Sequence, residues 1–218
     1  MYDVFFLSFD EPHADRYWEI LKGFHPIARR VNGVPGIHAA HAACARKSRT
    51  GHFFVVDADN EVLDPSIFEY TIPEWDREYV HLWYARNPVN NLIYGWGGIK
   101  LFPKSVFSDM RPKLDMTTSF PLKVMETMAS VTHFNVSPFE TWRSAFRECV
   151  KLTHSSDPAA EDRLKVWCNE AKGQHADWAL RGAREGHQYA LGLASDSEAL
   201  HLINDYSWLE KRFSGMVS

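Results

Sequence analysis

The chain has 218 residues, of which 45% are hydrophobic and 24% are charged, and its formal net charge is −4 at pH 7. This composition is globular and excludes a disordered chain, and the global charge does not indicate a nucleic-acid partner. The three cysteines have no metal-site spacing and cannot all pair, which favours reduced thiols in a cytoplasm. The acidic N-terminus is unlike a secretory signal and no apolar run reaches membrane-spanning length, so we expect no membrane partner.

The first part of the chain alternates strand and helix patterns. Residues 4–9 form an apolar run that predicts a buried strand, and residues 14–24 carry apolar side chains at helical spacing. Residues 26–34 predict a short edge strand, and the alanine-rich residues 36–45 predict a second helix. With the next strand, this β-α-β-α-β order predicts helices that cross over a sheet.

The segment HFFVVDAD, residues 52–59, contains the main candidate site. Its apolar run is typical of a central strand that is buried on both faces. Asp57 and Asp59 follow where the strand leaves the core, the edge at which open α/β sheets bind ligands. Two neighbouring carboxylates repel each other, so the pair favours a cation such as Mg²⁺ or Mn²⁺ that bridges to nucleotide phosphates. The alternative is that both aspartates open a solvated turn.

Residues near the first strand and second helix can complete a nucleotide site. Phe9 and Asp10 end the first strand, and Asp10 is a candidate for contacting the base or ribose, although a helix N-cap is equally compatible. His41 or Arg46 on the second helix is a candidate for contacting a phosphate. His38 is more typical of core packing or of a solvated face.

The middle of the chain is aromatic and predicts paired strands. Residues 75–102 hold two apolar runs separated by Asn87-Pro88, which indicates a β-hairpin or a pair of strands. The run YGWGG at residues 94–98 places three glycines around Trp96, and glycine in a strand often marks a bulge or a place where a ligand meets the backbone. Tyr94 and Trp96 have flat apolar faces that suit sugar rings or nucleobases, and ordinary sheet packing is the alternative.

The remainder of the chain predicts helices. The best-signalled one covers residues 136–153, with Ser137 as N-cap, Pro138 at the first helical position and an apolar stripe that we assign to the core. Further helices are predicted over residues 120–131, 157–178, 179–193 and 195–213.

The order of these motifs resembles the GT-A class of nucleotide-sugar glycosyltransferases. YGWGG is similar to the Trp-Gly-Gly acceptor segment of some metal-dependent GT-A galactosyltransferases, but Ile99 and Lys100 follow it here instead of acidic residues, so the base role of that segment is not carried over. A closer resemblance is to the phage TET-associated glycosyltransferases. It covers about the first 155 residues through FFLSFDEP, GVPGIHAAHAA, FFVVDAD, NPVNNLIYGWGGIKLFPK, DMTTS and THFNVSPFETWRSAFRECVKL.

The resemblance implies an α/β fold with a GT-A-like (Rossmann-like) mixed central sheet flanked by helices, an aromatic β insertion and a helical C-terminal part. The expected domains are a nucleotide-sugar-binding and acceptor core at 1–155 and a helical extension at 156–218 packed on it. The implied activity moves a sugar from a nucleotide-sugar, with a UDP-sugar expected, to 5-hydroxymethylcytosine or 5-hydroxymethyluracil in phage DNA. A companion oxygenase would make the hydroxymethyl group, and the reaction would take place in the host-cell cytoplasm.

The resemblance also implies roles for particular residues. Asp59 is expected to ligate Mn²⁺ or Mg²⁺ together with Asp57, and His133 is the first choice for a third ligand, with His154 second. Asp115 is the candidate base if the reaction inverts the anomeric centre. Lys100, Lys104 and Arg143 are candidates for binding the diphosphate or the DNA backbone. The predicted cofactor-binding set is Phe9, Asp10, His41, Arg46, Asp57 and Lys104, and the predicted acceptor-binding set is Tyr94, Trp96, Gly97, Gly98 and Lys100.

Three other interpretations stay open. A glycosyltransferase with a glycan or small-molecule acceptor is slightly favoured by the acidic charge, since most DNA-binding proteins are basic. A nucleotidyltransferase of the pyrophosphorylase type would share the sheet start and the metal. It would, however, carry a glycine-rich, arginine-containing loop after the first strand, and FDEPHADRYW has no glycine. The last is a non-catalytic nucleotide- or DNA-binding module.

Overall fold

The computed structural model describes residues 1–95, 97–108 and 120–217. The chain divides into a sheet unit, Met1–Asn87 with Ile93–His133, and a helical unit, Pro88–Leu92 with Phe134–Ser218. The domain boundary predicted at residue 155 would place the helix that begins at Pro138 with the sheet, whereas this helix lies in the helical unit.

The described part of the sheet unit contains two α-helices and eight strands. The helices are α1 (Ala14–Phe24) and α2 (Ile37–Lys47). The strands are β1 (Asp3–Ser8), β2 (Arg29–Asn32), β3 (His52–Asp57), β4 (Asn60–Val62), β5 (Val80–Arg86), β6 (Ile93–Tyr94), β7 (Ile99–Pro103) and β8 (Leu122–Thr132). The elements up to β3 agree with the sequence predictions to within a few residues.

The strands form one mixed sheet in the order β2-β1-β3-β7-β5-β8-β4, with β6 paired to β5. β2, β1 and β3 are parallel, whereas β7 runs antiparallel to both β3 and β5. Alternate residues of β3 enter opposite cores, so that Phe54 packs in the core that contains α1 and Phe53 packs in the core that contains α2. The predicted α/β class, with a mixed central sheet flanked by helices, is confirmed.

The helix predicted over residues 120–131 is wrong, because this segment is strand β8. It pairs in parallel with β5 from Val80 opposite Leu122 to Arg86 opposite Val131, and its end pairs with β4. The methionines, glutamate and alanine of LKVMETMASV favour a helix locally, and long-range pairing overrides that preference. Register shifts next to Tyr84 also interrupt the alternation by which a strand is recognised.

The helical unit contains α3 (Pro138–Thr153), α4 (Ala160–Asn169), α5 (Ala176–Leu191) and α6 (Tyr206–Val217). Ser137 caps α3 as predicted, with its hydroxyl oxygen 3.1 Å from the backbone nitrogen of Glu140. The predicted core stripe is confirmed, because Trp142, Phe146 and Val150 are fully buried. No helix in the described ranges is long and apolar enough to cross a membrane.

Two glycines let α3 and α5 approach closely. A Cβ atom at Gly182 would lie 2.3 Å from the carbonyl oxygen of Trp142, and one at Gly186 would lie 2.3 Å from that of Phe146. Residues four apart lie on the same helix face, so this face of α5 meets the backbone of α3 directly. Any side chain at either position must separate the two helices.

We predict that Gly182→Ala lowers the free energy of unfolding by about 2 kcal/mol, because the added methyl group overpacks the α3–α5 contact. Gly215→Ala in α6 is the matched control, since nothing lies within 4 Å of a Cβ there. This control should be neutral or gain up to about 1 kcal/mol of helix propensity. Urea unfolding followed by circular dichroism measures both variants, and equal stability of the two would contradict the close contact.

Candidate functional site

The carboxyl ends of β1 and β3 lie side by side, because the two strands are parallel and Leu7 is opposite Asp57. The antiparallel strand β7 begins at the same edge, with Ile99 opposite Val56 and Lys100 opposite Val55. This arrangement brings together four residues that we call the strand-end cluster: Asp57, Asp59, Asn60 and Lys100.

Lys100 forms an ion pair with Asp57 inside the cluster. The Nζ atom of Lys100 lies 2.6 Å from Oδ2 of Asp57, and Lys100 is only 5% exposed. An ammonium group that is so buried needs an opposite charge, and Asp57 supplies it. Lys100, which we predicted as an acceptor-binding residue, is therefore paired with Asp57, the first aspartate of the D-x-D motif.

Asp59 is held by a buried asparagine. The Nδ2 group of Asn60 donates a hydrogen bond of 2.6 Å to Oδ1 of Asp59. The Oδ1 atom of Asn60 accepts hydrogen bonds from the hydroxyls of Ser130 at 3.0 Å and Thr132 at 2.7 Å. Asn60 is 1% exposed and both aspartates are half-buried, so this segment is not a fully solvated turn.

Negative charge is in excess around Asp59. Burial, together with the carboxylates of Asp57 and Glu11, raises the pKa of Asp59 to about 7, and the charge of Lys100 opposes this rise. Within the described ranges, one ammonium thus acts on three acidic groups. A carboxyl group with a raised pKa at the carboxyl end of a strand is typical of a site where a bound cation would stabilise the ionised form.

His133 adjoins Asp59 through its backbone, whereas its ring has other partners. Its backbone nitrogen donates to the carbonyl oxygen of Asp59 at 2.7 Å. Its Nε2 atom lies 2.8 Å from Oε2 of Glu61, and its ring stacks on Tyr17 with centroids 5.5 Å apart. Within the described ranges no group of three or more His, Cys, Asp or Glu side chains is arranged to hold a metal, so the third-ligand role of His133 stays a prediction.

His154, the second choice for a metal ligand, belongs to the helical unit. It follows the last turn of α3, and its Nε2 atom lies 3.1 Å from the carbonyl oxygen of Ala190 in α5. Arg143 also lies in this unit, where it pairs with Glu140 and stacks on the Tyr206 ring at 4.3 Å. The contacts of both residues serve the packing of the helices.

His41 is a buried, neutral group that interacts electrostatically with both members of the ion pair. It is 1% exposed, its Nδ1 atom lies 2.8 Å from the carbonyl oxygen of Ile37, and its Nε2 atom is buried without a partner among the described residues. Burial lowers the pKa of His41 to about 4, although the charge of Asp57 acts in the opposite direction. At neutral pH the imidazole therefore brings no positive charge to a phosphate.

Two cations of the predicted cofactor-binding set lie at the wrong edge of the sheet. Arg46 is in the last turn of α2, which leads into the start of β3. Lys104 follows β7 where Pro103 is opposite His52, and its Nζ atom donates to the carbonyl oxygen of Ser48 at 2.9 Å. Strand direction separates both residues from Asp57 by the length of β3, so they are not part of the cluster.

The predicted aromatic residues have different surroundings. Phe9 is 52% exposed and follows β1 together with the exposed Asp10, so both lie at the edge where Asp57 emerges. Tyr94 is only 3% exposed, so it offers no flat surface to an acceptor. Trp96 and Asp115 lie outside the described residues.

The two predicted acceptor-site glycines lie beside the asparagine network. A Cβ atom at Gly97 would lie 3.8 Å from the hydroxyl oxygen of Thr132. Gly98 has a φ of +91°, and a Cβ atom there would lie 2.6 Å from Oδ1 of Asn60. A side chain at position 98 would therefore collide with the amide of Asn60, which explains the glycine at this position.

No protein-family profile and no curated protein sequence matches the chain. Among solved structures, HddC from Yersinia pseudotuberculosis has a TM-score of 0.43 and 16% identity over 59% of this chain and 92% of its own. A glycosyltransferase involved in the glycosylation of the major capsid of PBCV-1 has a TM-score of 0.32 and 16% identity, over 48% of this chain and 62% of its own. A putative glucose-1-phosphate thymidylyltransferase from Bacillus anthracis has a TM-score of 0.35 and 18% identity, over 57% of this chain and 68% of its own. Since these TM-scores are below 0.5, the function is argued from the residues of the chain itself.

We predict that His41 makes the protein less stable in acid. The folded-state pKa of about 4 lies below the ordinary value of 6.5. Between pH 4 and pH 6.5, His41 is therefore protonated in the unfolded chain and neutral in the folded chain. This contribution is present above pH 6.5 and is lost as the pH falls to 4, at a cost of roughly 3 kcal/mol.

Urea unfolding at several pH values compares His41→Gln with the exposed-site control His201→Gln. Between pH 7 and pH 4, His41→Gln should lose less stability than the control by about that amount. Parallel losses in both variants would show that His41 is not the group that titrates.

Proposed function

We propose that the chain is a nucleotide-sugar glycosyltransferase that binds the donor diphosphate, with a divalent cation, at the strand-end cluster. The observation that carries the proposal is the placement of two carboxylates at the carboxyl end of the parallel strand β3, where Lys100 pairs with Asp57 and the amide of Asn60 holds Asp59. A divalent cation at this point relieves the repulsion between the carboxylates and provides a positive charge for a diphosphate.

The two carboxylates suit a divalent cation that binds together with the nucleotide-sugar. Mg²⁺ is usually bound by one or two carboxylates plus substrate phosphates and not by a complete cage of protein ligands. The bonds to Asn60 and Lys100 use Oδ1 of Asp59 and Oδ2 of Asp57, so each carboxylate keeps a second oxygen. When bound, such an ion stabilises the charge that grows on the diphosphate as the glycosidic bond breaks.

Other residues at this edge suit the remaining parts of a donor. Lys100 holds Asp57 in one orientation and keeps a fixed positive charge at the cluster. The exposed ring of Phe9 supplies an apolar face for a nucleobase or ribose, and Asp10 supplies acceptors for the ribose hydroxyls. We assign donor binding to these three residues together with Asp57 and Asp59.

We infer the acceptor from the sequence resemblance, as the hydroxymethyl group of 5-hydroxymethylcytosine or 5-hydroxymethyluracil in DNA, supplied by a hydroxymethyl-generating oxygenase. The chemistry requires the target base to leave the helix stack, with Trp96 as its support and Asp115 as the base in an inverting reaction. A glycan or small-molecule acceptor is the second candidate, and the net charge of −4 favours it.

A transfer assay tests the proposed function. The full chain is incubated with Mn²⁺, a panel of UDP- and GDP-sugars, and either hydroxymethylcytosine DNA or free sugars, and the products are weighed by mass spectrometry. We expect one added sugar on hydroxymethylcytosine, lost when EDTA removes the cation. Transfer to free sugars alone would select the second candidate, and the absence of transfer and of donor hydrolysis with every donor would overturn the proposal.

Asp59→Asn should reduce metal-dependent transfer or donor hydrolysis by about 100-fold, because it removes the carboxylate that is left without a cation while keeping the shape of the side chain. Asp177→Asn is the matched control, since this residue is exposed in the first turn of α5. Wild-type rates in Asp59→Asn would remove the cluster from the reaction.

A further inference from the structure

Asn60 connects the acidic pair to the far strands of the sheet. It follows Asp59 directly, it begins β4, and its register partner is Thr132 at the end of β8. Its side-chain amide is buried and bonds in two directions, towards Asp59 on one side and towards two hydroxyls on the other. No role for this residue follows from the D-x-D motif itself.

We propose that Asn60 is a positioning residue that fixes the carboxylate of Asp59 in the orientation needed to receive the cation and the donor diphosphate. This inference rests on the proposed function and adds to it a residue that does not contact the donor. Its bond to Oδ1 of Asp59 prevents rotation of the carboxylate and leaves Oδ2 for the cation.

The direction of the amide follows from its partners. A carboxylate that binds a cation is ionised and only accepts hydrogen bonds, so in the cation-bound state the NH₂ group of Asn60 must face Asp59. The carbonyl oxygen then faces Ser130 and Thr132, and both hydroxyls can donate to it. The two hydroxyls therefore fix the orientation of the amide, and the amide in turn fixes the orientation of the Asp59 carboxylate.

The backbone next to the network is adapted to it. Gly98 has a φ of +91°, and a Cβ atom there would lie 2.6 Å from Oδ1 of Asn60 and 2.7 Å from the hydroxyl oxygen of Ser130. The carbonyl oxygen of Gly98 accepts a hydrogen bond of 3.1 Å from the backbone nitrogen of Asp57. The same glycine thus makes room for the amide and holds the backbone of the first aspartate.

The closing experiment measures Mn²⁺ binding in the presence of UDP, through the electron paramagnetic resonance signal of free Mn²⁺. Residues that orient metal ligands typically affect metal affinity by about 10- to 100-fold, so Asn60→Ala should weaken Mn²⁺ binding by about 10-fold or more. Asn169→Ala is the control, because the exposed Asn169 in α4 makes a similar local bond to the carbonyl oxygen of Lys165.

A matched pair at Thr132 tests the hydroxyl alone and serves if Asn60→Ala does not fold. Thr132→Val keeps the shape and removes the donor to Asn60, whereas Thr132→Ser keeps the donor and loses a methyl group. Thr132→Val should weaken Mn²⁺ binding by about 3-fold, and Thr132→Ser should bind like the wild type.

The outcomes separate the two proposals. Wild-type protein that binds no Mn²⁺ with UDP would overturn the proposed function and this inference with it. Wild-type protein that binds Mn²⁺, with unchanged affinity in Asn60→Ala and Thr132→Val, would leave the proposed function intact and make Asn60 purely structural. Equal weakening by Thr132→Val and Thr132→Ser would likewise overturn the inference, because the loss would then not depend on the hydroxyl.

Discussion

The imbalance of charge at the end of β3 is the constraint on which the site depends. A carboxylate at the rim of a core is costly unless a partner compensates its charge. Two carboxylates as close in sequence as those of Asp57 and Asp59 also repel each other. Lys100 compensates the first of them, and Asn60 holds the second without neutralising it. Among the residues that the structure describes, Asp59 is therefore an acidic group at a defined position without an ion-pair partner, and a cation is the ligand that would stabilise it.

The topology of the sheet produces this arrangement from distant segments. The parallel pairing of β1 and β3 brings Phe9 and Asp10 to the edge where Asp57 emerges. The antiparallel course of β7 delivers Lys100 to the same edge, and the end of β8 delivers the two hydroxyls that hold Asn60. Each of these residues is separated from the acidic pair by long stretches of sequence or by a strand, so the site requires the whole sheet to be formed.

Local patterns predicted the elements that are locally encoded. The apolar runs of β1 and β3, the spacing in α1 and the Ser137 cap of α3 each carry their signal within a few residues. The strand β8, the Lys100 ion pair and the Asn60 network depend on long-range register, which no local pattern contains. Charge alone favours Arg46 and Lys104 as phosphate-binding residues, whereas the directions of α2 and β7 place them at the opposite end of the strands.

The most direct test of the central claim is a crystal structure of the protein soaked with Mn²⁺ and UDP, with the metal located by its anomalous scattering. The account predicts a manganese peak at the carboxylate of Asp59, with the diphosphate beside it and Lys100 still paired with Asp57. A manganese peak elsewhere, with the carboxylates of Asp57 and Asp59 facing only solvent, would contradict it.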